Sequence, residues 1–382
     1  MSHTVLASPP PPTLRCSSST MLCIASSSRL DWTTDCSPIT GAPFTPSTSS
    51  LSLRAEFDFD RAFASTPVLL APMEDVTDPV FRSVCRARGA SICVTEFVHA
   101  ESLFGSDEAK RKDASKKLVL SEGDAPTAIQ IYGASEDALL EAAEIAEASG
   151  PAYLDLNCGC WVPKVARGGA GAAWLREPDK MVEMAARIAR RVRLPVTVKT
   201  RIGWGDEETM PVVELAKRLE GVGIRAMTIH CRTAIMGHEG GADWRWSRDA
   251  QKVVSMPVIV NGDIQSADDA MRALNETGCK GVMIGRRAIT HPWIFREVKE
   301  RLSGQQLPFV SVQERFALCL EHLNALEQAY APGRAVRTMR RFYPGYLEGT
   351  SGLRLLLRRL ASETSLEKTR VMLIEAEEDQ RA

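Results

Sequence analysis

Eight short apolar, β-branched runs, each followed by a stretch with helical signals, recur between Val68 and Ile284. The runs begin at Val68, Ile92, Ala128, Tyr153, Val196, Met227, Pro257 and Val282, and their length and composition predict strands. Between them, Ser135-Glu136-Asp137 opens a helix that continues through Ala148, with Gly150 as its stop. Glu177-Pro178-Asp179 opens another, with Met181, Met184, Ala185 and Ile188 at i, i+3, i+4, i+7 spacing. Ser266 is a further cap, and Gly278 sits where that helix should end. Eight βα units in a stretch of this size predict an α/β fold, a (β/α)8 TIM barrel over residues 66–303. A doubly wound sheet accommodates eight units less well, and no GxGxxG follows the first run. The spacings vary too much for a short-period solenoid.

On either side of this region the texture changes. Residues 1–50 carry only Arg15, Arg29, Asp31 and Asp35 as charges and are dominated by Ser, Thr and Pro. We read residues 1–65 as a disordered extension. It is Ser-rich and poor in acids, like an organellar transit peptide, but two Arg and no Lys favour a tail or start-site extension. Past Ser303 the strands stop. Gln313 to Ala331 reads as one helix and Gly352 to Ala376 as one or two more, a small C-terminal helical domain over residues 304–382.

The charge balance, 47 Lys+Arg against 48 Asp+Glu, excludes a histone-like polybasic binder but allows a local basic face. No apolar run approaches a membrane span. Ten cysteines without tandem CxxC knuckles argue against a structural zinc site or any metal, and for a reduced compartment, here expected to be the cytoplasm.

In a barrel the C-terminal strand ends converge on one mouth, so polar residues there are site candidates. This chain has them on strand after strand: Glu74 and Asp75, Glu96, Gln130, Asn157 to Cys160, Lys199 and Arg201, His230, Asn261-Gly262-Asp263, and Gly285-Arg286. Each alone fits a cap or a satisfied core group; their convergence favours a site. Asn261-Gly262-Asp263 and Gly285-Arg286 follow the seventh and eighth strands, where barrels cradle phosphate, although tight turns with a surface Arg also fit. Lys199 and His230 would face a ligand that becomes anionic, such as a reduced flavin ring. Cys160, beside Gly159, suggests an exposed loop thiol, whereas Cys158 reads as packing.

In this order the residues resemble the tRNA-dihydrouridine synthase family, its bacterial B-type subgroup above all. The matching pieces are Ala71-Pro72-Met73 with Val76-Thr77-Asp78 and Phe81-Arg82, Gln130-Ile131-Tyr132-Gly133, and Asp155 to Cys160 with Val162-Pro163-Lys164-Val165. Val198 to Trp204, His230-Cys231-Arg232-Thr233, Asn261 to Ile264 and Met283 to Arg286 with Pro292 to Phe295 complete them. The resemblance implies an FMN-containing barrel that uses NADPH, or NADH, to reduce tRNA uridines to 5,6-dihydrouridine. Carried over by position, it implies FMN contacts at Pro72, Met73, Glu74, Gln130, Lys199, His230, Asn261, Gly262, Asp263, Gly285 and Arg286. It makes Cys160 the catalytic acid and Asn157 a contact to the target uracil, with Arg201 assisting at the flavin or uracil edge. Two positions depart from the family. Trp161 stands where Pro usually follows the catalytic Cys, so the loop loses a backbone restraint. Cys231 replaces a common Gly.

Gly333 to Leu360 holds seven arginines against Glu348 alone, with Phe342, Tyr343 and Tyr346 among them. We expect Arg334, Arg337, Arg340 and Arg341 to contact tRNA phosphates and the aromatics to stack on unpaired bases. Neither a membrane nor an obligate protein partner is expected. Competing classes are a flavin barrel acting on a small molecule and a non-enzymatic RNA binder that keeps the barrel as scaffold.

Overall fold

The computed structural model describes residues 57–205 and 210–381. Most of the extension read as disordered lies outside these residues, but Phe59–Ala64 within it is helical. Asp58 caps that helix, and Phe59 and Phe63 pack on Tyr153.

All eight strand expectations hold. β1 (Val68–Leu70), β2 (Ile92–His99), β3 (Thr127–Tyr132), β4 (Leu154–Cys158), β5 (Val196–Arg201), β6 (Ala226–His230), β7 (Val258–Asn261) and β8 (Gly281–Ile284) form a closed barrel in chain order. Every pairing is parallel, and Val68 to Leu70 close it against Val282 to Ile284. The strands read as unbroken apolar runs because helices cover the outside while side chains fill the inside. Register sets the site: Asn157 pairs with Lys199, and Arg201 with His230, which pairs in turn with Asn261.

The helices follow their local signals. Ser135 accepts from the Ala138 N–H at the start of Glu136–Ala148, and Ser266 from the Asp269 N–H at the start of Ala267–Thr277. Gly278 ends the latter at φ 67°, a conformation most L side chains avoid. After the barrel, Val312–Ala329 forms as expected and Gly352 to Ala376 splits into Leu353–Ser362 and Leu366–Asp379. The short helices Pro332–Met339 and Tyr343–Tyr346 between them were not foreseen. No helix among the described residues is long and apolar enough to cross a membrane.

One expectation about this region is corrected. Phe342, Tyr343 and Tyr346 are buried and cannot stack on bases. Phe342 stacks on Phe81 of the barrel helix Pro79–Ala87 at 5.0 Å, and Tyr346 meets Trp293 edge-on at 6.1 Å. They form the seam between barrel and C-terminal helices, which removes more apolar area from water than a surface position would.

Arg82 anchors the barrel side of that seam. Fully buried, it donates to Asp124 Oδ2 (2.8 Å), Thr77 O (2.8 Å) and Val119 O (2.9 Å). Arg82→Met is expected to cost roughly 3–5 kcal/mol, because it leaves the buried Asp124 carboxylate without its cation. Urea unfolding would register this as a lower midpoint; a loss below about 1 kcal/mol, the range of an exposed pair, would refute the anchoring role.

Candidate active site

A cavity of about 300 Å³ opens at the C-terminal ends of the strands. The β1 end contributes Pro72, Met73 and Glu74, β4 contributes Asn157 and Cys160, and β5 contributes Lys199 and Arg201. His230 comes from β6, Asn261, Gly262 and Asp263 from β7, and Gly285 and Arg286 from β8. Of the residues expected to contact flavin or uracil, Gln130 alone does not line it; Asp75 and Glu96, also candidates by position, lie outside the lining, where Glu96 accepts the Asp75 N–H at 2.7 Å.

Gln130 has no exposed surface and acts from beneath. Its amide donates to Asp155 Oδ2 (2.6 Å) and its oxygen accepts from Asn157 Nδ2 (2.8 Å). Asn157 Oδ1 in turn accepts the N–H groups of Gly159 (3.1 Å) and Cys160 (2.9 Å). Thr197 donates to the other oxygen of Asp155, whose buried carboxyl is raised above its usual range. A chain of hydrogen bonds thus runs from the barrel interior to the backbone of Cys160. Asn157 keeps one amino hydrogen for the cavity.

Arg201 is a second tie. Its guanidinium donates to the carbonyls of Gly159 (2.9 Å), Thr233 (2.8 Å) and Gly237 (2.8 Å), joining the loops after β4 and β6. Holding these loops, rather than touching a ligand, accounts for most of its donors. Trp161 adds to the same joint, for a Cβ on Gly237 would lie 3.2 Å from its indole, and His238 meets the ring edge-on at 5.6 Å. Packing therefore supplies the restraint that a proline would have given. Cys231 is fully buried, its sulfur 3.0 Å from Ser247 Oγ.

Burial raises the half-buried Cys160 thiol, and the opposing pulls of the Val162 N–H, Arg201 and Lys199 are smaller, so the thiol keeps its proton at neutral pH. Burial, then Arg201, pushes the Lys199 ammonium down to about 8; among the described residues its one hydrogen bond is to Asn261 Oδ1 at 3.3 Å. His230 is driven far down by burial and by Lys199, Arg201 and Arg232, which makes it a neutral imidazole.

Gly262 has φ 117°, and a Cβ there would come within 2.9 Å of Ala242 Cβ and 3.1 Å of His230 Cδ2. Only glycine fits, and the backbone stays open to a ligand. The Asp263 carboxylate instead accepts from Arg232 (2.7 Å) and the Ala242 N–H (2.8 Å), buttressing the β6 loop. Arg286 is exposed, 3.8 Å from Asp263, and free to turn to an anion.

The C-terminal arginines divide. Arg334 lies over the Tyr330 ring at 4.1 Å, Arg337 is exposed with no ion-pair partner among the described residues, and Arg341 donates to the Asp75 carbonyl. Arg340 is half-buried and donates to the Glu363 carbonyl (2.9 Å). Arg341 thereby reaches the β1 loop that carries Glu74, which pairs with Lys117. Phe97 and His238 line the cavity but escaped the sequence reading. Phe97 lies just beyond the run taken as a strand, and His238 sits in a loop with no period to mark it.

The Dihydrouridine synthase (Dus) family profile matches residues 69–380. A probable tRNA-dihydrouridine synthase of Rhodobacter capsulatus is 35% identical over 75% of this chain and 87% of its own length. The tRNA-dihydrouridine synthase B of Pectobacterium carotovorum is 37% identical over 74% and 86%, and that of Pseudomonas aeruginosa 35% over 75% and 85%. Among solved structures, a morphinone reductase variant superposes with a TM-score of 0.45 at 11% identity, over 65% of this chain and 89% of that one, too distant to bear on function. The chain belongs to the dihydrouridine synthase family, and these relatives put it in the B-type subgroup.

Proposed function

We propose that this protein reduces uridines in tRNA to 5,6-dihydrouridine in the cytoplasm, with bound FMN and with NADPH or NADH as reductant. The observation that carries the reading is Cys160: a protonated thiol, its backbone held by Asn157, sharing one cavity with Lys199 and the Gly262 cradle.

The residues fit FMN. Gly262 has no side chain to block a phosphate beside Arg286, and the Lys199 ammonium, with a single hydrogen-bond partner among the described residues, suits the ring. Pro72, Met73, Glu74, His230, Asn261, Asp263 and Gly285 would complete the pocket, with Gln130 supporting it from below. Bound FMN would supply hydride to uracil C6, the carbon conjugated to the C4 carbonyl. The chain must then deliver one proton to C5 as charge builds on the enolate, and Cys160 holds that proton. The thiolate left behind regains a proton from water. The spare amino hydrogen of Asn157 is available to a uracil carbonyl. Neutral His230 can donate a hydrogen bond without adding charge. The target base must leave its stack to enter the cavity, and Arg334, Arg337 and Arg341 would hold the surrounding phosphates.

The test is nucleoside mass spectrometry of unmodified tRNA after incubation with the protein and NADPH. Dihydrouridine that depends on both supports the reading. Its absence, with flavin bound and the target tRNA present, would favour a small-molecule reductase.

Lys199 gives a pH dependence. With its ammonium titrating at about 8, cationic help for FMN is present below that pH and withdrawn above it. FMN affinity of the apoprotein should fall by up to about tenfold per pH unit above 8. Lys199→Met should bind more weakly at pH 7 and lose this slope. A wild-type affinity flat from pH 7 to pH 10 would remove Lys199 from FMN binding.

A further inference from the structure

His99 and Tyr132, the last residues of β2 and β3, are in register at the barrel end that carries the cavity, their rings 4.8 Å apart and inclined at 35°. Phe97, which lines the cavity, meets Tyr132 edge-on at 5.2 Å. His99 Nδ1 bonds Ser102 Oγ at 2.6 Å and Nε2 lies 3.2 Å from Glu101, yet 40% of its side chain is exposed. Burial lowers its pKa; the Glu101 carboxylate opposes this and Lys117 and Lys164 add to it, so the ring is neutral at pH 7. What His99 offers to solvent is therefore an uncharged ring face whose orientation the Ser102 bond holds. Glu101 also accepts the N–H groups of Ala134 (2.6 Å) and Ser135 (2.8 Å), which stiffens the rim just after Tyr132. Lys164, four residues after Cys160, is exposed and has no ion-pair partner among the described residues.

An uncharged, pre-ordered aromatic face beside an unneutralised lysine suits an unpaired nucleotide: the rings take the base and the ammonium the phosphate. Drawing one base into the cavity unstacks its neighbour, and that neighbour reaches the rim in need of a new stacking partner.

We propose that His99 and Tyr132, with Lys164, form a stacking platform for the nucleotide next to the target uridine, which makes this rim a determinant of tRNA recognition. The proposal rests on the reading of the cavity as a uridine-reducing site.

The test uses the flavin-loaded protein with His99→Ala, Tyr132→Leu, Tyr132→Phe and Lys164→Glu. His99→Ala and Tyr132→Leu should raise KM for unmodified tRNA about tenfold with kcat at saturation within about twofold, since stacking is sequence-tolerant binding energy. Tyr132→Phe should match wild type, and Lys164→Glu, an exposed change, should raise KM likewise. Flavin content and the rate of flavin reduction by NADPH should be unchanged. An unchanged tRNA KM in His99→Ala and Lys164→Glu overturns the platform. So does a rise in KM for NADPH in place of tRNA, which would give the rim to the nicotinamide dinucleotide. Should wild type form no dihydrouridine, the reading of the cavity fails instead; equal tRNA Kd in wild type and variants would then also dismiss the rim.

Discussion

Cys160→Ala is expected to keep its flavin and to lose at least about a hundredfold in turnover on tRNA, the low end of what a positioned general acid contributes. The thiol lines the cavity, whereas the group that holds its loop, Asn157 Oδ1, bonds the backbone N–H of Cys160 and not its sulfur. The substitution therefore removes the proton, and the sulfur's bond from the Val162 N–H, while the Asn157 tie still holds the loop. Cys160→Ser, whose hydroxyl is a far weaker acid, should recover little. Burial raises the thiol, so in wild type the proton donor persists to higher pH than an ordinary cysteine would allow. Single-turnover oxidation of the reduced enzyme by tRNA measures the loss directly. A rate in Cys160→Ala within about threefold of wild type, outside the range for a lost general acid, would remove Cys160 from the mechanism.

Gly345→Ala is expected to loosen the C-terminal helices from the barrel. A methyl on Gly345 would land on the backbone and Cβ of Thr290, and backbone cannot yield as the tip of a side chain can. Thr290 ends the helix Arg286–Thr290, whose first residue is the cavity's Arg286, so the clash lies one short helix from the site. Phe342 and Tyr346, on either side of Gly345, are the seam itself. Overpacking at such a place costs roughly 1–3 kcal/mol, occasionally more. The variant should show a lower Tm, faster proteolysis beyond Ser303 and tRNA affinity weakened about tenfold or more, for about 1.4 kcal/mol is tenfold in a binding constant. Undiminished Tm and tRNA affinity would mean that the helices can shift without cost.

The sequence was most informative where the signal was local. Ser135, Ser266 and Gly278 mark helix ends through bonds to residues three or four positions away, and all three behave as expected. It misled where the signal depended on distant chain. Phe342, Tyr343 and Tyr346 stand among arginines and read as a nucleic-acid surface, but Phe81, His322 and Trp293 bury them. Gln130 reads as a cavity residue from its place on β3, yet Asp155 and Asn157 on the adjacent strand draw its amide below the floor. Arg201 carries a charge that suggests a ligand, while three backbone carbonyls occupy most of its donors.

By itself the sequence determined the barrel, the order of its strands and the set of polar residues at their ends. Strand and helix periods are written over a few neighbouring residues, and parallel βα units of this number close in one way. Only the tertiary structure decided which of those polar groups face the cavity and which hold it in shape. That choice depends on hydrogen bonds and contacts between segments far apart in the chain, such as Asp155 to Gln130 and Arg201 to Gly237, and it exists only once the barrel has closed.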